Sequence, residues 1–527
     1  MTRATISCLW MLASCGGSRT VIVHVVPAPA PAEPTASLSR RTADSGKARE
    51  LVQQSVFGPL RALFNSPGIA RNLAGMHAEA YNVTSEDDVV GSGWFAGTSR
   101  ATAEPPDTSA AWTVVGGRLD GAPVLAVRDA RGHEYWLTFD TPEYPELATA
   151  TEVIAARLYE AAGFHAPQVW IVTFDPERQL ALGDTGTARA VLAGVARRAD
   201  GRLRTAAHFV AGRVLGTFAF AGHRADDPAD TLPHEHRREL RGLYVVAAWL
   251  DHTGLFRGST LDVLVDTAGG RTVRHYVLGF ESSLGSRNGR PSTARAGTEG
   301  DWDSGKVATR LLTLGFYAAA WERSNARRFD PLRWTPSYPN PAFARRTARD
   351  GFWGAKLVAG ISDATIRQAV AAGELGDSAV GRALVDTVRA RRALTVARWF
   401  SRVTPLDELA IRQGATGSAL AFRDLGVAEE LVPPQHRRYE IVMSQPGDRR
   451  TQRASVTLDL SADGRGVLPL PALQGEDAMM YADWPVERQL GWIDVRAVAD
   501  DGTRPRVLRI YVLPDSTTGY RIVGRRY

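Results

Sequence analysis

The chain has 527 residues, 44% hydrophobic and 23% charged, which at roughly 100 to 200 residues per domain predicts two to four domains with packed cores and excludes disorder for most of it. Its 63 Lys and Arg against 57 Asp and Glu give a net charge of +6. The basic residues are interleaved with acids, so there is no dense nucleic-acid footprint and nucleic acid is not an expected partner.

The two cysteines, Cys8 and Cys15, both lie within residues 1–15, which excludes a disulfide framework or a cysteine-ligated zinc in the folded body. Arg3 precedes an apolar run over 4–13. That run is too short to span about 30 Å of hydrocarbon and reads as a signal peptide over 1–14. It ends in Leu12-Ala13-Ser14-Cys15-Gly16, which resembles the bacterial lipobox. The resemblance implies that Cys15 takes a lipid and becomes the first mature residue. The chain would then be anchored in the bacterial cell envelope, facing periplasm or exterior, with the membrane as a partner. Residues 15–48 include Pro27-Ala-Pro-Ala-Pro-Ala-Glu-Pro34, a semi-rigid and then flexible tether.

Residues 49–110 are expected to form a capping segment, with Leu51, Val56, Leu60, Leu63 and Phe64 at helical spacing. Over 111–175, strands are expected at 112–115, 124–127 and 135–139, with turns at Gly116, Gly117 and Gly121 and at 129–132. A helix over 146–162 stops at Gly163, and a strand follows at 169–172. Over 176–405 the pattern is mainly helical. A helix opened by Pro233 carries Leu240, Leu243, Tyr244, Ala247 and Leu250 on one face. A strand pair is expected at 260–265 and 273–278, then a helix capped by Ser362 and another opened by Ser378. After Pro433-Pro434 the period becomes two, with strands near 439–443, 456–460, 493–498, 507–513 and 520–523. These predict a small β sandwich over 430–527.

Phosphate-loop, nucleophile-elbow, zinc-protease and paired-cysteine motifs do not occur in the chain. His234-Glu235-His236, with Asp226, Asp227 and Asp230 upstream, comes nearest to a metal cluster. Residues two apart on a helix point about 200° apart, so the histidines cannot face one ion unless the turn is unwound. A solvated helix start is expected there, and no metal.

The order of elements and several long phrases carry a resemblance. These are Asn82-Val-Thr-Ser-Glu-Asp-Asp-Val-Val-Gly-Ser-Gly-Trp94, Pro233-His-Glu-His-Arg-Arg-Glu-Leu-Arg-Gly242 and Arg274-His275-Tyr276, with the stretches 112–140, 146–167, 226–262, 273–286 and 329–353. Together they resemble a family of bacterial lipoproteins whose core is similar to HipA-like and CotH-like kinases. The likeness is spread over most of 80–400 and is loose in the last domain. It implies an α+β fold: a protein-kinase-like two-lobe core, with a small antiparallel-sheet lobe and a mainly helical lobe, followed by the sandwich.

Phosphoryl transfer in such a core needs a lysine on the third strand, a helix glutamate to hold it, a catalytic aspartate, and magnesium ligands. By the resemblance, Thr138 stands at the lysine position. Gly254 and Ser259 stand at the catalytic-loop aspartate and asparagine, and Gly279 at the metal-holding aspartate. Glu152, with Glu146 as second candidate, is left without a cation. Gly116, Gly117 and Glu152 remain as candidate nucleotide-binding positions. The resemblance therefore implies a degenerate, pseudokinase-like core with no catalytic residue and no ATP or magnesium, acting as a binding or scaffold module for an envelope protein partner, with recognition by the C-terminal β domain. Two alternatives stand beside it. One is an atypical ATP- and magnesium-dependent kinase using Asp251, Asp262 or Glu281. The other is a glycan- or envelope-binding protein using Trp334, Tyr338 and Trp353.

Overall fold

The computed structural model describes residues 93–96, 103–118, 123–181, 186–224, 226–227, 230, 232–267, 270–292, 329–414, 417–444, 451–470, 490–498, 504–515 and 518–527. The expected signal peptide, Cys15, the tether and most of the capping segment lie outside them. Among the described residues no helix is long and apolar enough to cross a membrane.

The first sheet contains β1 (Trp112–Arg118), β2 (Val124–Arg128), β3 (Glu134–Phe139), β4 (Gln168–Phe174), β5 (Leu180–Ala181) and β6 (Leu203–Phe209), in the order β4-β6-β3-β2-β1-β5. The pairings are antiparallel except for β1 with β5. Strand β6 falls in the stretch expected to be helical and inserts between β3 and β4. Gly116 and Gly117 are not a turn. They continue β1 past a bulge and pair with Ala126 and Leu125.

Helix α1 (Leu147–Ala161) covers one face of this sheet. Its first turn is anchored by Asp140, which accepts the Thr149 N–H and hydroxyl at 2.9 and 2.7 Å. The second helix, α2 (Gly186–Ala193), packs on β1 and β2. A second sheet holds β7 (Arg213–Gly216), β8 (Thr260–Thr267) and β9 (Gly270–Val277). Past it, the two-residue strands β10 (Ser286–Arg287) and β11 (Arg290–Pro291) form a hairpin.

The helical region is built round α3 (Arg238–Leu250), in which every residue is buried. Pro233 does not open this helix. It precedes a separate single turn, His234–His236. An amphipathic reading leaves Arg238 and Arg241 in solvent. Both are buried instead, because Asp350 on α4 (Ala348–Ala359) accepts from Arg241 Nε and Nη2 at 2.6 and 2.9 Å. Helix α5 (Asp363–Ala371) starts under Ser362, whose side chain accepts from Thr365 N–H as expected. The 23-residue α6 (Ser378–Phe400) is capped by Asp377, one residue before the expected start.

The C-terminal strands form two facing sheets. One is β12 (Leu406–Gly414), β13 (Gly417–Asp424) and β16 (Arg465–Pro469). The other, in spatial order, is β15 (Thr451–Leu458), β14 (Arg437–Ser444), β17 (Gly491–Val498), β18 (Leu508–Asp515) and β19 (Gly519–Arg526). Leu406, Leu420, Phe422 and Leu468 from the first meet Tyr439, Ile441, Ile493, Val495 and Ile510 from the second in one core. The hairpin over 406–424 thus belongs to this sandwich, although it precedes the segment in which the sandwich was expected.

Candidate functional site

Thr138 sits on β3 in the interior of the first sheet, opposite Val124 on β2 and Ala206 on β6. Its hydroxyl lies 3.2 Å from His208 Nε2 on β6. The same nitrogen lies 4.0 Å from Glu152 Oε2, inside α1. Glu152 is 3% exposed and has Glu281 beside its carboxyl, and its Oε2 has no hydrogen-bond partner.

Glu281 belongs to the one-turn helix Phe280–Ser282, which packs on α1 and starts from Gly279 with φ of 77°. A Cβ built on Gly279 would lie 3.0 Å from Ser259 Cβ and 3.8 Å from Glu281 Oε2. One built on Gly254 would lie 2.7 Å from Ser282 Cβ. The structure therefore links Thr138, Gly254 with Ser259, and Gly279, from three parts of the chain, through His208, Glu152, Glu281 and Ser282.

His208 has no signature in the sequence, because only the sheet order brings it beside β3. It lies beside Glu152, which the sequence reading leaves without a cation. Burial nevertheless pushes the His208 imidazole down to about 4. Burial, reinforced by the neighbouring Glu281, pushes Glu152 well above the carboxylate range. Both shifts favour the uncharged form of each group. His252 ties α1 to the turn at Gly279. Its Nδ1 meets the Tyr159 hydroxyl at 2.9 Å and its Nε2 meets the Gly279 carbonyl at 3.0 Å, so the ring donates from Nε2 and accepts at Nδ1. Burial holds it neutral, at about 3.

The remaining candidates have other employment. Ser259 Oγ accepts the Phe256 N–H at 2.9 Å and donates to the Phe256 carbonyl at 2.7 Å, closing its own turn. Asp251, left-handed at φ 53°, accepts from Trp334 Nε1 at 2.9 Å. Asp262 accepts from Arg224 at 2.9 Å and His275 at 2.7 Å. Burial alone would raise its pKa, but the facing His275 and Arg224 outweigh it and hold the carboxyl below its ordinary range. Glu146 accepts from Gly376 N–H. Gly116 and Gly117 are exposed on β1, with β2 between them and β3. Trp334 and Trp353 are buried, and Tyr338 packs on Phe256.

The His234 cluster is not a solvated helix start. His234 is 2% exposed and bonds Asp230 at 2.8 Å. It stays buried because Arg224 and Arg237 share that carboxylate. Among the described residues no group of three or more His, Cys, Asp or Glu is placed to hold a metal ion.

These protonation states set a pH dependence. Between about pH 6.5 and 4 the unfolded chain protonates His208 and His252 while the folded chain does not, so acidification across that window destabilises the fold. Glu152 acts in the opposite direction. Unfolded it ionises near 4.5, folded it keeps its proton, and stability is lost as pH rises through the interval between. Glu152→Gln is expected to gain on the parent by about 1.4 kcal/mol per pH unit in that interval. Urea unfolding at several pH values checks this, and parallel curves for the two proteins would contradict a protonated Glu152.

No protein-family model and no curated protein matches the chain. Among solved structures it is similar to the Helicobacter pylori proinflammatory kinase CtkA, at TM-score 0.32 and 8% identity, over 56% of this chain and 99% of that one. A likeness at that score does not establish a shared fold.

Proposed function

We propose that the chain is a lipid-anchored envelope protein whose kinase-like two-lobe core has lost phosphoryl transfer and serves as a binding or scaffold module. The observation that carries this reading is the centre of the site. Where a kinase-like core needs a lysine and magnesium ligands, there are Thr138, Gly254, Ser259 and Gly279, set round the buried Glu152 carboxyl, the half-buried Glu281 and a neutral imidazole. Phosphoryl transfer is mostly positioning and charge stabilisation by cations. Carboxyls beside a neutral histidine offer no positive charge to a nucleotide phosphate. Two of the fallback carboxylates, Asp251 and Asp262, are held by Trp334, Arg224 and His275, which leaves Glu281 for the atypical-kinase alternative.

Titration with ATP and magnesium is expected to leave the melting temperature unchanged, since any ligand of the folded state alone must raise it. Saturable stabilisation, with phosphate transfer abolished by Glu281→Ala, would replace this reading with an active enzyme. For the anchor, metabolic labelling with a fatty-acid analogue is expected to mark the parent protein and not Cys15→Ala. Equal labelling of both would remove the lipid attachment.

A further inference from the structure

The five-stranded sheet of the C-terminal sandwich is covered at one edge and, among the described residues, unpaired at the other. At the β19 edge, Ser418 on β13 donates to the Thr518 carbonyl at 2.8 Å and Arg525 approaches Asp407 on β12 at 3.4 Å. At the other edge, β15 pairs with β14 over all eight residues without a bulge, and among the described residues no strand pairs with its outer side. Sheet edges are ordinarily blunted by proline, bulges, short length or charge. Strand β15 reads Thr-Gln-Arg-Ala-Ser-Val-Thr-Leu, with Arg453 its one charge, and Thr451 to Ser455 are all exposed.

The outer face beside that edge is basic. Residues directly paired across strands share a face. The registers put Arg438, Arg453, Arg496, Arg509, Arg521 and Arg526 on the face turned from the core, with Glu440, Asp494 and Asp515 as the acids of its described strands. All three acids are engaged, Asp515 by the Thr518 N–H and hydroxyl at 2.8 and 3.0 Å. Asp494 binds Arg509 at 2.6 and 2.7 Å, and Glu440 lies 3.7 Å from Arg496 and from Arg504. Arg438 and Arg453, nearest the open edge, are exposed and have no acidic partner among the described residues.

We propose that the open edge of β15 and the arginines beside it are the docking site for an extended acidic segment of a partner protein, which joins the sheet as a further strand. An unpaired edge offers alternating N–H and C=O groups that only another backbone satisfies in register. A lipid headgroup or a glycan has no such ladder. Side chains alternate across a strand, so acids at every second position of the incoming strand would meet Arg453 and Arg438 on one face. This rests on the binding-module reading, whose own test, the nucleotide titration, is independent of it.

The probe is a capped peptide of alternating valine and glutamate, matched in length to β15, titrated into the full chain by fluorescence anisotropy. Saturable binding is expected, with slowed amide exchange over 451–458, no binding of the valine–lysine counterpart, and about tenfold weaker binding after Arg438→Glu with Arg453→Glu. The proposal is overturned by absence of saturation, by binding without new protection in 451–458, or by indifference to the charge reversal. Phosphatidylglycerol vesicles that bind the parent and not the variant would assign the face to a membrane instead. Concentration-dependent dimerisation that protects 451–458 would assign the edge to a second copy of the chain.

Discussion

Trp94→Ala is expected to cost about 3 to 5 kcal/mol, the range for deleting a large aromatic side chain from a core. Trp94 is 6% exposed and stacks on His275 with ring centroids 3.5 Å apart. It meets His234 and Phe218 edge-on at 4.5 and 5.0 Å, and the Arg237 guanidinium lies 4.8 Å over its ring. Each of these neighbours is itself committed. His275 holds Asp262, while His234 and Arg237 hold Asp230. The backbone around Trp94 has no slack: His275 N–H donates to the Gly93 carbonyl, and a Cβ on Gly163 would lie 2.3 Å from the Phe95 ring. Residues 93–96 therefore strap the end of α1 to β9 and to Trp353 on α4. Truncation leaves a cavity whose walls cannot collapse without breaking the buried aspartate pairs. Urea unfolding should show a lower midpoint with an unchanged slope, and Trp94→Phe should recover part of the loss. A midpoint equal to the parent's would show that the strap contributes nothing.

What the sequence discloses of this fold follows from where each side chain finds its partner. The C-terminal strands and the Ser362 cap are local: alternation marks a strand with one wet face, and a serine before a periodic run marks an N-cap. Strand β6 lacks such a signal because six of its seven residues are buried. Its Arg204 is buried because the guanidinium caps the carbonyls of Gly373 and Glu374, about 170 residues away in sequence. Arg241 likewise finds Asp350 across 109 residues. The candidate site divides in the same way. Thr138, Gly254, Ser259 and Gly279 were picked out by a resemblance in phrase order, whereas His208 enters through a strand pairing that no local pattern encodes. The engagement of Asp251 with Trp334 and of Asp262 with Arg224 depends on side-chain packing, and a motif comparison has no access to it.

Gly254→Asp is expected to destabilise the protein without creating a nucleotide site, and the reason is steric before it is electrostatic. The Cβ alone would stand 2.7 Å from Ser282 Cβ, closer than carbon atoms pack. Ser282 cannot withdraw freely: its hydroxyl accepts the Asn288 N–H, and its carbonyl accepts the Thr253 N–H at 3.0 Å. Overpacking of this kind costs about 1 to 3 kcal/mol. The carboxylate would also add a negative charge beside the turn that carries Glu281. Gly279→Asp meets the same obstacle in another form, since its φ of 77° disfavours a side chain and its Cβ would lie 3.0 Å from Ser259 Cβ. Side chains added at 254 and 279 would thus meet Ser282 and Ser259. On the proposed reading, placing lysine, aspartate, asparagine and aspartate at 138, 254, 259 and 279 together should lower the melting temperature and still give no response to ATP and magnesium. The steric cause is separable by a double-mutant cycle. If the clash is what costs stability, Gly254→Asp should be partly rescued by Ser282→Gly, beyond the sum of the single effects. Additive effects would place the cost in the charge alone, and a quadruple variant that binds ATP with magnesium would contradict the steric reading.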